Sequence, residues 1–271
     1  MDVSNDRTKD VTDPRNQPIR SFHARHGRAR PLQIRTLESL WPLYGVNFPT
    51  DHQEPGLARS LELDGSADRF VLLRGLQTGV PSATQMGLGT SIILDVGFGM
   101  GDATVAMAMA EPESTVLAID VHRPGVVRLL SLIDELSLTN VRVARGDVHA
   151  LLAFGVPERS LAGVRVFFPD PWPKARHQKR RLIQPVFAAQ LACRIEAGGF
   201  VHLATDWMDY AEHMREVFAA DDRFEEVPTT HTSVNATRPD SHVTATRPET
   251  PYERAGIDNG HTVTDLRYRR R

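Results

Sequence analysis

The chain has one cysteine in 271 residues. A single thiol excludes an internal disulfide and a cysteine-based zinc site, and it suits a reducing compartment. That residue, Cys193 in AAQLACRI, is expected to be a small buried helix residue rather than a nucleophile. No metal is expected. The sequence also lacks any apolar run long enough to span a membrane, and its polar start, MDVSNDRTKD, lacks the apolar core of a signal peptide. A cytoplasmic location without membrane contact is the expectation. With 41% hydrophobic and 24% charged residues, the chain can bury the core of one large α/β domain with tails.

Acidic residues are missing where basic ones collect. Net charge is only −2, which alone argues against a polyanionic partner. Yet no acid lies between Asp13 and Glu38, where Arg20 to Arg35 holds five arginines and two histidines. None lies between Asp170 and Glu196, where Lys174 to Arg181 holds five cations and His177. The chain closes on RYRRR. Each run alone is a solvated face or tail; three together raise a nucleic acid as partner.

Residues 1–20 are polar and aperiodic, and are expected to be disordered. Residues 21–69 read as a basic N-terminal arm, with a short helix over 32–45 broken at Pro42. From about residue 70, short β-branched runs alternate with helical patterns: SIILDV, GDATVAMAMA, TVLAIDV, PGVVRLLSLIDELSL, VRVARGD, VRVFFP and onward. That alternation predicts βαβ units, hence a mostly parallel sheet with helices on both faces. In the helix after VHRPG, Val126, Leu129, Leu130, Ile133 and Leu136 share one face. Residues 228–246 read as a loop insertion, residues 228–250 contain a local echo, ATRPD then ATRPE, and HTVTDLRYR reads as a final strand.

ILDVGFGMGDA joins a strand to a helix through Gly97, Gly99 and Gly101. Glycines there permit the tight turn and let a ligand approach the backbone at a helix N-terminus. A dinucleotide fingerprint requires another glycine at 102; the residue is Asp102, a carboxylate where a pyrophosphate would lie. A nucleotide without phosphate, such as S-adenosylmethionine (SAM), is the better candidate. Asp95 ends the first strand of the alternating part, where it can meet an ammonium. Asp120 ends the second, suited to two ribose hydroxyls, and Asp147 follows the third, suited to an adenine amino group. Any one of these acids could be an ordinary helix N-cap. Three successive strand ends finishing in Asp favour a site.

The fourth strand leaves through VRVFFPDPWPKARHQKRR. Pro169, Pro171 and Pro173 stiffen that exit, so Asp170 and Trp172 are held by a turn with little freedom. Trp172 either offers a stacking face to a base or packs on the helix behind it, and packing is the commoner fate. The cations that follow lie on the rim of the same pocket, where RNA phosphates can be gripped.

GFGMG, IDVHRPG, FPDPWPKARHQKRR, ATDW with YAEHM, and RPETPYERAG followed by GH resemble the tRNA (guanine-N7-)-methyltransferase family in order and spacing. SFHARHGR also fits, so the resemblance runs from about Phe22 to the last strand. It implies a class I SAM methyltransferase domain over 70–271: a Rossmann-like α/β fold with a mostly parallel seven-stranded sheet whose last strand is antiparallel. It implies methylation of N7 of a guanine in the variable loop of tRNA; separately, the chain is expected to act without a protein partner, as a monomer or homodimer. Carried over, the cofactor residues are Asp95, Gly97, Gly99, Gly101, Asp120, Asp147 and Asp170, with Asp170 also catalytic. The tRNA contacts are Lys174, Arg176, Lys179, Arg180, Arg181, Asp206, Thr250, Pro251, Tyr252 and Glu253. Two positions depart from the family: Asp95 stands where Glu is usual, and Pro251 replaces a usual cation. The R-P element occurs at Arg238 and Arg247, and only the second is followed by Thr, Tyr and Glu.

Guanine N7 already carries an in-plane lone pair, so no prior deprotonation is needed, and positioning and electrostatics carry the reaction. Two rivals differ in class. An exocyclic-amino methyltransferase would place (D/N)-P-P-(Y/F) at the fourth strand, where this chain has PDPW. A catalytically dead RNA-binding fold would have no need of intact acids and glycines.

Overall fold

The computed structural model describes residues 30–48, 91–228, 248, 253–254 and 262–271. The expected N-terminal tail, the 228–246 insertion beyond Pro228, both R-P elements' arginines, and Thr250, Pro251 and Tyr252 lie outside these residues.

The apolar runs become strands because β-branched side chains fit a pleated surface buried on both faces. Strand β2 (Ser91–Val96) is buried along almost its full length, as are β3 (Ser114–Asp120), β4 (Val141–Arg145) and β5 (Leu161–Phe167). Strand β6 (Ile195–Thr205) follows, then β7 (Phe224–Glu226) and β8 (Thr264–Arg270). Adding β1 (Gly45–Val46), they form one eight-stranded sheet in the order β1-β4-β3-β2-β5-β6-β8-β7. β8 runs antiparallel to both β6 and β7, and the other pairings are parallel.

The expected seven strands are β2 to β8. The eighth, β1, is a two-residue edge strand that comes from the segment assigned to the basic arm. Helix α1 (Pro31–Tyr44) leads into it and does not break at Pro42. Pro42 falls in the last turn, so the one i→i−4 bond its missing N–H forgoes lies at the C-terminal end of the helix and does not interrupt it midway. The adjacent Trp41 anchors that end: it is buried, and its indole N–H donates to Asn47 Oδ1 at 3.0 Å.

Alternation along the strands serves two cores. Ile92, Leu94, Leu117 and Ile119 pack with α5 (Pro185–Arg194), α6 (Met208–Ala219) and the helical turn α4 (Val148–Ala150). Val116, Ala118, Val141 and Val143 pack with α1, α2 (Asp102–Ala110) and α3 (Arg123–Glu135). Helices therefore cover both faces. On α3, Val126, Leu129, Leu130 and Ile133 are buried as their spacing requires; Leu136 lies past the last turn and is exposed. Cys193 corrects an expectation. The buried stripe of α5 is Phe187, Ala188, Leu191 and Ala192, and the next residue rotates about 100° out of it, so Cys193 is exposed.

Successive strands run outward from β2 to β3 and β4 on one side, and from β5 to β6 on the other. The order reverses between β2 and β5, and open α/β sheets bind ligands at the carboxyl ends beside such a reversal.

Candidate active site

A cavity of about 820 Å³ opens at that reversal. Asp95, Gly97, Gly99, Gly101, Asp120, Asp147 and Asp170 all line it. The volume lies in the range of small-molecule sites.

The floor is the turn from β2 to α2. Gly97, Gly99 and Gly101 have φ of 75°, 60° and 86°, left-handed values that a side chain would resist. A Cβ on Gly97 would meet nothing within 4 Å, so the backbone there borders open space. The opposite constraint acts at Gly125 in α3, where a Cβ would fall 1.8 Å from the Gly99 carbonyl oxygen. That contact presses α3 against the glycine turn. Gly125→Ala is therefore expected to displace the turn, with loss of several degrees in thermal midpoint and of measurable SAM binding. A variant that melts and binds like the parent would contradict it.

Asp95 is 3% exposed, and its Oδ2 accepts a hydrogen bond from the Thr104 hydroxyl at 2.6 Å. Burial pushes its carboxyl up to about 6, against the opposing effects of the Thr104 bond and the Arg165 charge. Arg165 pairs beside it on β5 and forms an ion pair with Glu111. Asp120 accepts backbone N–H groups from Gly99 and His122, each at 2.8 Å, one on each oxygen. Burial raises its carboxyl, and those two bonds partly offset the rise. A carboxylate has about four acceptor positions, so Asp120 retains capacity for a ligand beside these N–H groups. Asp147 caps α4 by accepting the His149 N–H at 2.9 Å, so here the capping role is real and coexists with a place in the cavity wall. Asp102, read from sequence as a bar to phosphate, pairs with Arg128 at 2.5 Å on the cavity lip. That pairing softens the electrostatic part of the argument; the missing glycine remains.

Asp170 sits exposed at the rim, in the turn that leaves β5. The backbone around it is unusual. Phe168 and Trp172 have φ of 51° and 44°, rare for bulky side chains. The Phe168 N–H donates to the Ala204 carbonyl at 2.8 Å, tying the turn to β6 near Asp206, which is half-buried. Trp172 is half-buried: Arg180 lies over its ring at 5.0 Å, and His177 meets it edge-on at 5.9 Å.

The cations Lys174 to Arg180 wrap into a 3₁₀ turn (Ala175–Arg180) next to this rim. Lys174, Arg176 and Lys179 are exposed and Arg180 is half-buried. Arg181 departs from expectation. It is 3% exposed, and its guanidinium pairs with Asp209. Glu253 is half-buried in the short described piece near the end. Sequence reasoning missed Thr104, Arg128 and Arg165. A lone Thr on an apolar helix and a lone Arg in VRVFF were visible signals; Arg128, on an exposed helix face, gave none.

A family model described as "Putative methyltransferase" matches residues 89–266. A protein of Alkalilimnicola ehrlichii named tRNA (guanine-N(7)-)-methyltransferase is 41% identical over 94% of this chain and 94% of its own length. One of the same name from Streptomyces avermitilis is 43% identical over 93% of this chain and 75% of its own. The chain belongs to the tRNA (guanine-N(7)-)-methyltransferase family. Family membership makes it a SAM-dependent methyltransferase. Among solved structures, the one named "Crystal Structure of PH0851" superposes with a TM-score of 0.51 at 12% identity, over 69% of this chain and 44% of that one. At that identity the likeness speaks for the fold alone. In this methyltransferase no described helix is long and apolar enough to cross a membrane, and no described group of His, Cys, Asp or Glu gathers as metal ligands.

Proposed function

We propose that the chain transfers a methyl group from SAM to N7 of a guanine in the variable loop of tRNA. One observation carries the reading: seven residues from four strand ends line a single cavity, and a basic turn leaves from its rim. The donor set fits SAM. Asp95 offers a buried carboxylate to an ammonium, Asp120 accepts from ribose hydroxyls, and Asp147 accepts from an adenine amino group. When bound, SAM supplies an electrophilic sulfonium methyl. Guanine N7 needs no base to attack it, so Asp170 holds guanine N–H donors and stabilises the positive charge that develops on the ring. Lys174, Arg176, Lys179 and Arg180 bind phosphates and set the register. Asp206, beside the same turn, and Glu253 complete the guanine side of the site. The enzyme works in the cytoplasm as a monomer or homodimer.

The test is nucleoside analysis of tRNA digested after incubation with SAM and the protein. 7-Methylguanosine is expected from tRNA carrying a variable-loop guanine and absent when that guanine is replaced. An exocyclic product such as N2-methylguanosine, or no product, would overturn the reading.

A further inference from the structure

Two neighbouring arginines follow the Asp170 turn, and the fold treats them oppositely. Arg180 lies over Trp172 at the surface strip. Arg181 points inward, with a side chain only 2% exposed. Its Nε donates at 3.0 Å to the carbonyl of Pro171, the residue that follows Asp170. Its terminal nitrogen pairs with Asp209 at the start of α6, and its guanidinium lies over the Tyr210 ring at 4.8 Å. Tyr210 is itself buried, and its hydroxyl oxygen accepts the Ile183 N–H at 3.1 Å. The planar fork of arginine presents donors in a fixed geometry and can meet a carbonyl, a carboxylate and an aromatic face at once.

We propose that Arg181 is a positioning residue, a buried strut that fixes the Asp170 turn against α6, and not one of the RNA contacts its place in the basic run suggests. The assignment rests on the reading of Asp170 as the group beside the guanine. The run KARHQKRR thus divides by function. Its first four cations face outward to the polyanion, and its last holds the carboxylate where the methyl acceptor must sit. Pro171 and Pro173 have no N–H to donate, so their peptide nitrogens add no hydrogen bond of their own to the turn.

The experiment compares Arg181→Gln, Arg181→Lys and Arg180→Gln with the parent. Measured are kcat and KM for tRNA, the salt dependence of tRNA binding, thermal midpoint, and amide hydrogen exchange over 168–181. Arg181→Gln is expected to lower kcat by up to about 100-fold, the scale for a catalytic group displaced by an ångström. KM for tRNA and the salt slope should stay at parent values, while exchange in the segment quickens. Arg181→Lys should recover the ion pair with Asp209 but not the fork to Pro171, so it restores thermal midpoint more than kcat. A role in folding alone would move both together and sink the proposal. Arg180→Gln should flatten the log–log salt slope by about 0.7 to 0.9. If Arg181→Gln flattens it equally, Arg181 is an RNA contact and the proposal is overturned. Should Arg181→Gln fail to fold, Asp209→Asn loosens the same strut from its exposed end; parent kcat and parent exchange in that variant would equally overturn it. If the parent makes no 7-methylguanosine, the functional reading fails, while the exchange and salt-slope results still decide Arg181.

Discussion

Replacing Asp170 with asparagine is expected to lower kcat by about 100- to 1000-fold, the cost of removing one preorganised electrostatic partner of a transition state. SAM should bind nearly as well as before. The asymmetry follows from placement: Asp95, Asp120 and Asp147 stand on strand ends within the cavity wall, whereas Asp170 is exposed on the rim beside the basic turn. Asparagine keeps the size and an acceptor oxygen but loses the charge that answers a cationic guanine. Single-turnover methylation, paired with SAM titration by calorimetry, separates the two effects. Parent-like turnover would remove Asp170 from the chemistry; a collapse of SAM affinity would make it a cofactor ligand first.

Asp95→Asn is expected to stabilise the free protein and weaken SAM binding at the same time. Burial holds the Asp95 carboxyl at about 6, above its ordinary 3.8. A carboxyl raised in this way favours the folded state while protonated, at low pH, and that contribution is lost as pH rises through about 6. At pH 8 the ionised buried group therefore costs on the order of 3 kcal/mol, at 1.36 kcal/mol per unit between 3.8 and about 6. An amide avoids the cost and can still accept from Thr104. The thermal midpoint of the variant should exceed that of the parent at pH 8, with the gap closing toward pH 4. The parent's SAM affinity should rise between pH 5 and 7, because an ammonium prefers the carboxylate, and the variant's should be weaker and flat. An unchanged midpoint at pH 8 together with parent-like affinity would refute this assignment of Asp95.

Most of the sheet was legible because its strands are buried on both faces and read as continuous β-branched runs. Three acids at strand ends and the glycine turn were legible for a related reason: topology puts strand ends together whatever the loops do. What sequence could not give was side-chain direction within irregular backbone. Arg180 and Arg181 are identical neighbours in a charged run, and only the 3₁₀ turn decides which one faces water. Trp172 was open between stacking on a base and packing, and its contacts with Arg180 and His177 come from a turn whose shape no periodicity encodes. Strand β1 is two residues long, too short to leave any periodic trace.

The left-handed backbone at Phe168 and Trp172 also determines when the cost of order is met. Each such residue raises the energy of the native chain by about 1–3 kcal/mol. That penalty is incurred once, as the protein folds, and the core and the Ala204 bond absorb it. A mobile turn would instead have to surrender roughly 1–2 kcal/mol of backbone entropy per residue every time a substrate arrived. Across the five residues from Phe168 to Trp172, that toll would recur at each catalytic cycle and weaken the grip on every tRNA alike. By holding the turn in a high-energy shape beforehand, the fold moves the expense from turnover to folding, and leaves the encounter with RNA little to organise.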